Sequence, residues 1–154
     1  MPWLKTWAEK GLSAEAALDA FDGLPVITPE EMIGSWRGSE LPTAHPLDGL
    51  LALYGWRGKR FEDAERVHPL LFEHHGRTVA VDPARLPLGV ALNLPHLSRT
   101  DKAVELFRAS LPLWRTRKPK ARLRAVEHRG LVSAAMIYDD LPIIDHFRRA
   151  DEGR

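Results

Sequence analysis

Acid–base side chains are densest near the C-terminal end of the sequence. The group consists of Asp139, Asp140, Asp145 and His146. A carboxylate beside an imidazole suits general acid–base catalysis, but neighbouring residues on a helix do not face each other. Asp139 or Asp140 also precedes Pro142 at the right distance to cap a helix that the proline starts. We therefore predict mainly a structural role for this group, in which a carboxylate caps the helix.

No standard catalytic motif accompanies these carboxylates. The sequence lacks the nucleophile elbow of hydrolases, the phosphate-binding loop and the dinucleotide fingerprint. We therefore predict no catalytic residues. An enzyme that uses the region of Asp139, Asp145 and His146 is kept as an alternative.

A run of positive charge without an acidic residue forms the second chemical feature. Its members are Arg115, Arg117, Lys118, Lys120, Arg122 and Arg124. Nucleic-acid-binding proteins use such runs to neutralise phosphates, but this one lacks interleaved aromatic residues and has only Trp114 at its border. The main prediction is a solvated face that leads into an edge strand. A module that binds nucleic acid or a protein partner through residues 115–124 is the alternative.

The seven histidines do not show the spacing of a metal site. His74 and His75 are adjacent, and no pair of histidines has the helical spacing of known zinc motifs. The chain contains no cysteine, which excludes disulfides, thiolate nucleophiles and cysteine-ligated metals. We predict no metal site.

Length and charge describe an ordinary globular domain. The 154 residues fit one domain, and 22 basic side chains nearly balance 21 acidic ones, for a net charge of +1. No apolar run approaches the length of a membrane span, and the N-terminal segment is charged too early for a signal peptide. These features predict a single cytoplasmic domain over residues 1–154, with no membrane partner. They leave its oligomeric state open.

The periodicity of the chain alternates between helix and strand. Helices are predicted from Ser13 to Gly23, from a capping box at Thr28 and Glu31 to Gly34, from Pro46 to Gly55, from Asp101 to Leu111 before Pro112, and from Pro142 through Phe147. Strands are predicted over 34–41, 56–61, 67–72, 78–82, 121–128 and 131–138. The fold class is therefore α+β: a curved antiparallel sheet, or a partial calycin-like β-barrel, with several short helices.

Two short triplets occur twice in the same order. Trp-Arg-Gly at 36–38 is followed by His-Pro-Leu at 45–47, and the pair returns at 56–58 and 68–70. This echo indicates either a duplicated strand-and-turn unit or a coincidence.

A hairpin defines the predicted ligand site. If Arg129 and Gly130 form a two-residue loop, counting outward places Glu127, Ala125, Leu123 and Ala121 on one face with Val132, Ala134, Met136 and Tyr138. Arginines on the opposite face make this first face the interior one. Small alanines with a few polar groups suit a small-molecule pocket, so the predicted binding residues are Trp36, Glu127, Ala134, Met136 and Tyr138. The alternatives are that helices fill this space and that Trp36 only plugs the core.

Two segments carry a family resemblance. Gly34-Ser35-Trp36-Arg37-Gly38, with the sequence from Pro42 to Leu50 and from Gly55 to Phe61, resembles the bacterial family named for its GXWXG motif. Residues 134–139, 142–145 and 147–149 resemble the domain of unknown function that usually follows it. The resemblance assigns residues of about 15–75 to the first part and of about 115–151 to the second. Because related chains continue past the Phe-Arg-Arg-x-Asp segment, it also implies an open sheet edge here.

A looser similarity is to the calycins, which include lipocalins, fatty-acid-binding proteins and nitrobindin-like haem proteins. Their first strand carries Gly-x-Trp, although Glu40 stands here where nitrobindin-like chains have a third glycine. The similarity implies haem ligation by His128 or His146 as an alternative to the main prediction of no cofactor. The function predicted overall is binding of a small apolar or aromatic ligand, without a catalytic set.

Overall fold

The computed structural model describes residues 2–87 and 93–150. Its helices are α1 (Pro2–Lys10), α2 (Ala14–Asp22), α3 (Pro29–Met32), α4 (Leu50–Leu53), α5 (Pro95–Ser98) and α6 (Asp101–Trp114), with a 3-10 turn at Pro83–Arg85. Its strands are β1 (Gly34–Arg37), β2 (Trp56–Phe61), β3 (Val67–His74), β4 (Arg77–Ala80), β5 (Ala121–His128), β6 (Leu131–Tyr138) and β7 (Ile144–His146). No helix in these two ranges is long and apolar enough to cross a membrane.

The strands form one antiparallel sheet in the order β1-β2-β3-β5-β6-β7, and β4 also pairs with β3. Strand β3 pairs with β2 along one edge. Along its other edge it pairs with β5 at Val67 and with β4 from Leu71 to His74. The sheet is curved but does not close within the described residues. The predicted α+β class with a curved antiparallel sheet is confirmed.

The β5–β6 hairpin has the predicted register. His128 pairs with Leu131, Ala125 with Ala134, and Ala121 with Tyr138. Both loop residues, Arg129 and Gly130, adopt positive φ values of 53° and 78°, as a two-residue turn between twisted strands requires.

The starts of α2 and α3 are set by local capping, as predicted. The side chain of Ser13 accepts a hydrogen bond from the backbone N–H of Ala16, and Thr28 and Glu31 complete a reciprocal capping box. The helix that was predicted from Pro46 begins later, at Leu50. The preceding residues form a turn in which Gly49 has a φ of 75°.

Two predictions around prolines are wrong. Pro112 does not end α6, which continues to Trp114 while Leu111 is fully buried and Trp114 packs against the same cluster. Pro142 does not start a helix, because the following residues add strand β7 to the edge of β6. The strand gains ladder hydrogen bonds that a single helical turn would lack. Ile144 is 49% exposed in this strand.

The carboxylates that were predicted as caps of that helix are used differently. Asp139 accepts a hydrogen bond from Arg122 Nε at 3.0 Å, and Asp140 accepts one from Lys120 Nζ at 3.0 Å. They pair across the sheet with the basic run instead of closing a helix end.

Two apolar clusters hold the fold together. The inner cluster contains Ile27, Met32, Phe61, Val67, Ala121, Leu123, Ala134 and Met136, with Tyr138 and Phe147 packed against it. The helix cluster contains Leu70, Phe72, Val79, Val81, Phe107 and Leu111, with Tyr54, Trp56, Leu86 and Trp114 packed against it. The buried residues of α6 are Val104, Phe107 and Leu111, which lie on one side of the helix.

Candidate functional site

An apolar cavity of about 280 Å³ lies beside α6 and is bounded by α4, β3 and α5. We call it the α6 cavity. Its walls are Leu50, Leu51, Tyr54, Phe72, Leu86, Pro87, Leu97, Ser98, Ala103, Leu106, Phe107 and Trp114. Almost all of these side chains are aliphatic or aromatic, which is the usual lining of a small-molecule site.

Local sequence explains how the helices present these walls. The spacing of Leu50, Leu51 and Tyr54 forms one apolar stripe on α4 and its C-terminal cap. Thr100 caps α6 by accepting a hydrogen bond from Ala103 N at 3.3 Å, and this fixes the first turn at the cavity. The following turn places Phe107 on the same side of α6 as Ala103, facing the cavity.

Phe107 is the centre of an aromatic wall. Its ring centroid lies 4.6 Å from that of Tyr54 in an edge-to-face contact, 5.3 Å from that of Phe72 and 5.1 Å from that of Trp114. Such pairs add stability beyond the area that they bury and keep the wall rigid.

The tyrosine hydroxyl of this wall is already engaged in a hydrogen bond. Tyr54 Oη donates a hydrogen bond to the carbonyl oxygen of Ser98 at 2.6 Å, and burial raises the pKa of the Tyr54 hydroxyl. The hydroxyl therefore ties α4 to the end of α5. The surface left for a ligand is mainly apolar.

Exposed leucines surround the opening of the cavity. Leu51 is 39% exposed, Leu97 is 58% exposed and Leu106 is 72% exposed. Single exposed leucines are ordinary, but several around one cavity form a continuous apolar rim.

The five predicted binding residues lie elsewhere. Ala134 and Met136 are fully buried in the inner cluster, and Tyr138 packs against it. Glu127 is exposed near the hairpin turn. Trp36 is 38% exposed and donates its indole N–H to the Met32 carbonyl at 2.7 Å, so the alternative that it only plugs the core is wrong. None of the five lines the α6 cavity.

Comparisons with known proteins agree with the two motif segments. Residues 19–76 match the profile described as GXWXG protein, and residues 119–154 match that of a domain of unknown function (DUF4334). A crystal structure of a protein from Thermomonospora curvata has a similar fold, with a TM-score of 0.62 and 32% identity over 90% of this chain and 72% of the other. A search of curated proteins found no match.

This chain belongs to the GXWXG family.

The GXWXG motif itself lies on β1, where it pairs with β2. Gly38 donates its backbone N–H to the Arg57 carbonyl at 2.8 Å, and the indole of Trp56 occupies the space where a side chain at Gly38 would stand. The two Trp-Arg-Gly triplets therefore face each other across antiparallel strands. The second His-Pro-Leu triplet lies in β3 and the first lies in a turn. The repeated triplets therefore do not belong to structurally equivalent units.

In this GXWXG protein, the second half of the basic run is ion-paired. Lys120 Nζ lies 2.9 Å from Asp82 and 3.0 Å from Asp140, and these hydrogen bonds, that to Asp82 first, raise the pKa of Lys120. Arg122 pairs with Asp139 at 3.0 Å, and Arg124 pairs with Glu65 at 2.7 Å. These cations hold the sheet to its loops.

Asp145 and His146 are not arranged as an acid–base pair. Asp145 accepts a hydrogen bond from Lys59 Nζ at 2.9 Å, and burial, followed by the charge of Asp145, raises the pKa of Tyr138. His146 instead stacks on His128, with ring centroids 3.8 Å apart and planes inclined by 11°. Within the described residues, no group of three or more His, Asp or Glu side chains is placed to hold a metal ion.

The stacked histidines should make stability depend on pH. Burial, then the charges of His128 and Arg148, lower the pKa of His146 below its usual value of 6.5, against an opposing effect of Asp145. The unfolded chain therefore binds more protons than the folded one, and stability is lost as pH falls through the folded pKa. We expect the free energy of unfolding in urea to fall between pH 7 and pH 5. His68, whose pKa burial also lowers, contributes in the same direction.

His146→Phe keeps a flat ring against His128 and removes the titrating group. It should reduce this pH dependence, whereas His96→Gln, at an exposed position on α5, should leave it unchanged. Equal slopes for wild type and His146→Phe would show that the histidine stack does not contribute.

Proposed function

We propose that this GXWXG protein binds a small apolar ligand in the α6 cavity. The observation that carries the proposal is the aromatic wall around Phe107, which ends in a rim of exposed leucines. A pre-formed concave surface of this kind binds ligands without first having to be ordered.

Size and polarity narrow the ligand class. A volume of about 280 Å³ is at the small end of ligand sites, so it fits a single ring system or a short alkyl chain better than a large cofactor. Because Tyr54 Oη already donates its hydrogen bond to the Ser98 carbonyl, the wall offers few free polar atoms to a ligand. The ligand should therefore be held mainly by burial of its apolar surface.

The test uses a neutral dye, N-phenyl-1-naphthylamine, whose fluorescence rises in apolar surroundings. We expect saturable binding by the wild type. Ala103→Trp should weaken it at least about tenfold, because the indole would occupy the cavity from the first turn of α6.

Ala109→Trp is the matched control, because Ala109 is exposed on the same helix and does not line the α6 cavity. It should bind dye as the wild type does. A second variant, Leu97→Asp, changes the exposed rim without entering the core and should also weaken binding. If both cavity variants bind dye like the control, the ligand site is not here.

A further inference from the structure

A second cavity, of about 500 Å³, opens where the C-terminal end of α6 meets β2, β3 and β4. We call it the arginine cavity. Its charged walls are Arg60 on β2 and Arg115 and Arg117 on the segment after α6. It shares no lining residue with the α6 cavity, so a ligand bound here is independent of the proposed function.

The positive charge at this cavity is poorly compensated. Arg60 lies 3.3 Å from Glu62 Oε1. Arg115 and Arg117 are exposed and form no ion pair with any residue in the described ranges. This separates them from Lys120, Arg122 and Arg124 of the same run, which are paired. Three guanidinium groups thus line one cavity beside a single carboxylate.

A buried histidine also lines this cavity. His68 is 3% exposed, and its Nε2 lies 3.3 Å from Glu62 Oε1, so Nε2 carries the proton and donates to that carboxylate. Burial, then the charge of Arg60, lower the pKa of His68 against the opposing effect of Glu62. The ring is therefore neutral at pH 7. Nδ1 has no hydrogen-bond partner among the described residues and almost no accessible surface, so a bound anion does not reach it.

Three arginines beside a single carboxylate favour an anion with more than one negative charge. Carboxylates and phosphodiesters accept hydrogen bonds from arginine, but each of these groups carries one negative charge at neutral pH. A phosphate monoester has a second pKa of about 6 and is therefore mainly doubly charged at pH 7. Its oxygens match the planar fork of arginine.

We propose that the arginine cavity binds the phosphate group of a small phosphate monoester, with Arg60, Arg115 and Arg117 holding its oxygens.

Calorimetric titration with phenyl phosphate and with dimethyl phosphate tests the proposal. We expect phenyl phosphate to bind at pH 7 and dimethyl phosphate to bind at least about tenfold more weakly, because the diester carries only one negative charge. Equal binding of the two would overturn the monoester assignment and point to a phosphodiester backbone such as that of a nucleic acid.

Arg115→Gln with Arg117→Gln should weaken phenyl phosphate at least about tenfold. The control removes the same charge nearby: Arg108→Gln with Lys118→Gln, two exposed residues that do not line the arginine cavity. All four positions are exposed, so both double variants should fold. Unchanged affinity in the first variant, or equal loss in the control, would show that the cavity is not a phosphate site.

Discussion

Gly58→Ala is expected to destabilise the protein by about 3 kcal/mol or more, because it combines backbone strain with a steric collision. Gly58 has a φ of +141°, a conformation that residues with a side chain rarely adopt. An added Cβ would also overlap the carbonyl oxygen of Trp36 on the paired strand. Since that atom belongs to the backbone, β1 and β2 would have to separate.

Gly34→Ala is the matched control for this prediction. Gly34 has a similar φ of +133° on the same strand pair, but nothing lies within 4 Å of the position of its Cβ. It should show the cost of strain alone, about 1–2 kcal/mol. Urea unfolding of both variants measures the difference, and equal losses would mean that the strands adjust to the Cβ at Gly58 without losing their pairing.

Local rules were sufficient for much of this fold. The caps at Ser13 and Thr28 and the two-residue turn at Arg129 each depend on contacts within a few residues, and all three formed as predicted. The hairpin register followed because the side-chain period of two fixes every later pair once the loop is known.

The elements that depend on distant partners were not predictable in this way. Residues 144–146 form a strand because the edge of β6 is available to them, and their own sequence does not show that edge. Pro112 stays helical because Leu111 and Trp114 on either side of it pack against the helix cluster. In both cases tertiary contacts outweighed a local signal.

The α6 cavity escaped prediction because its walls come from separate segments. The spacing of Leu50, Leu51 and Tyr54 indicates one apolar stripe, but a stripe alone does not show whether it meets a filled or an open space. The position of Leu106 in the sequence is a signal of this surface, because a large apolar residue there is exposed. It lies on α6 outside the buried stripe of Val104, Phe107 and Leu111, which is where a binding surface differs from a core.

Counting residues along the β5–β6 hairpin predicts which side chains share a face, but not what packs against that face. The register placed Ala134 and Met136 inside, but it could not show what lies opposite them. In the structure that space is occupied by Ile27 and Phe61 of the inner cluster, and Phe147 packs against the same cluster. The Ala134→Trp substitution tests whether a ligand can enter this space.

Ala134→Trp is expected to destabilise the protein by about 3 kcal/mol, at the upper end of the cost of overpacking a core. Ala134 is fully buried, its N–H bonds to the Ile27 carbonyl at 2.8 Å, and its carbonyl accepts from Phe147 N at 3.0 Å. An indole there would have to displace both neighbouring segments. Ala125→Trp is the control, since Ala125 is the exposed cross-strand partner of Ala134 and should tolerate the ring. If Ala134→Trp instead unfolds at the same urea concentration as Ala125→Trp, the inner face holds free volume, and the ligand site predicted around Met136 and Tyr138 gains support over the α6 cavity.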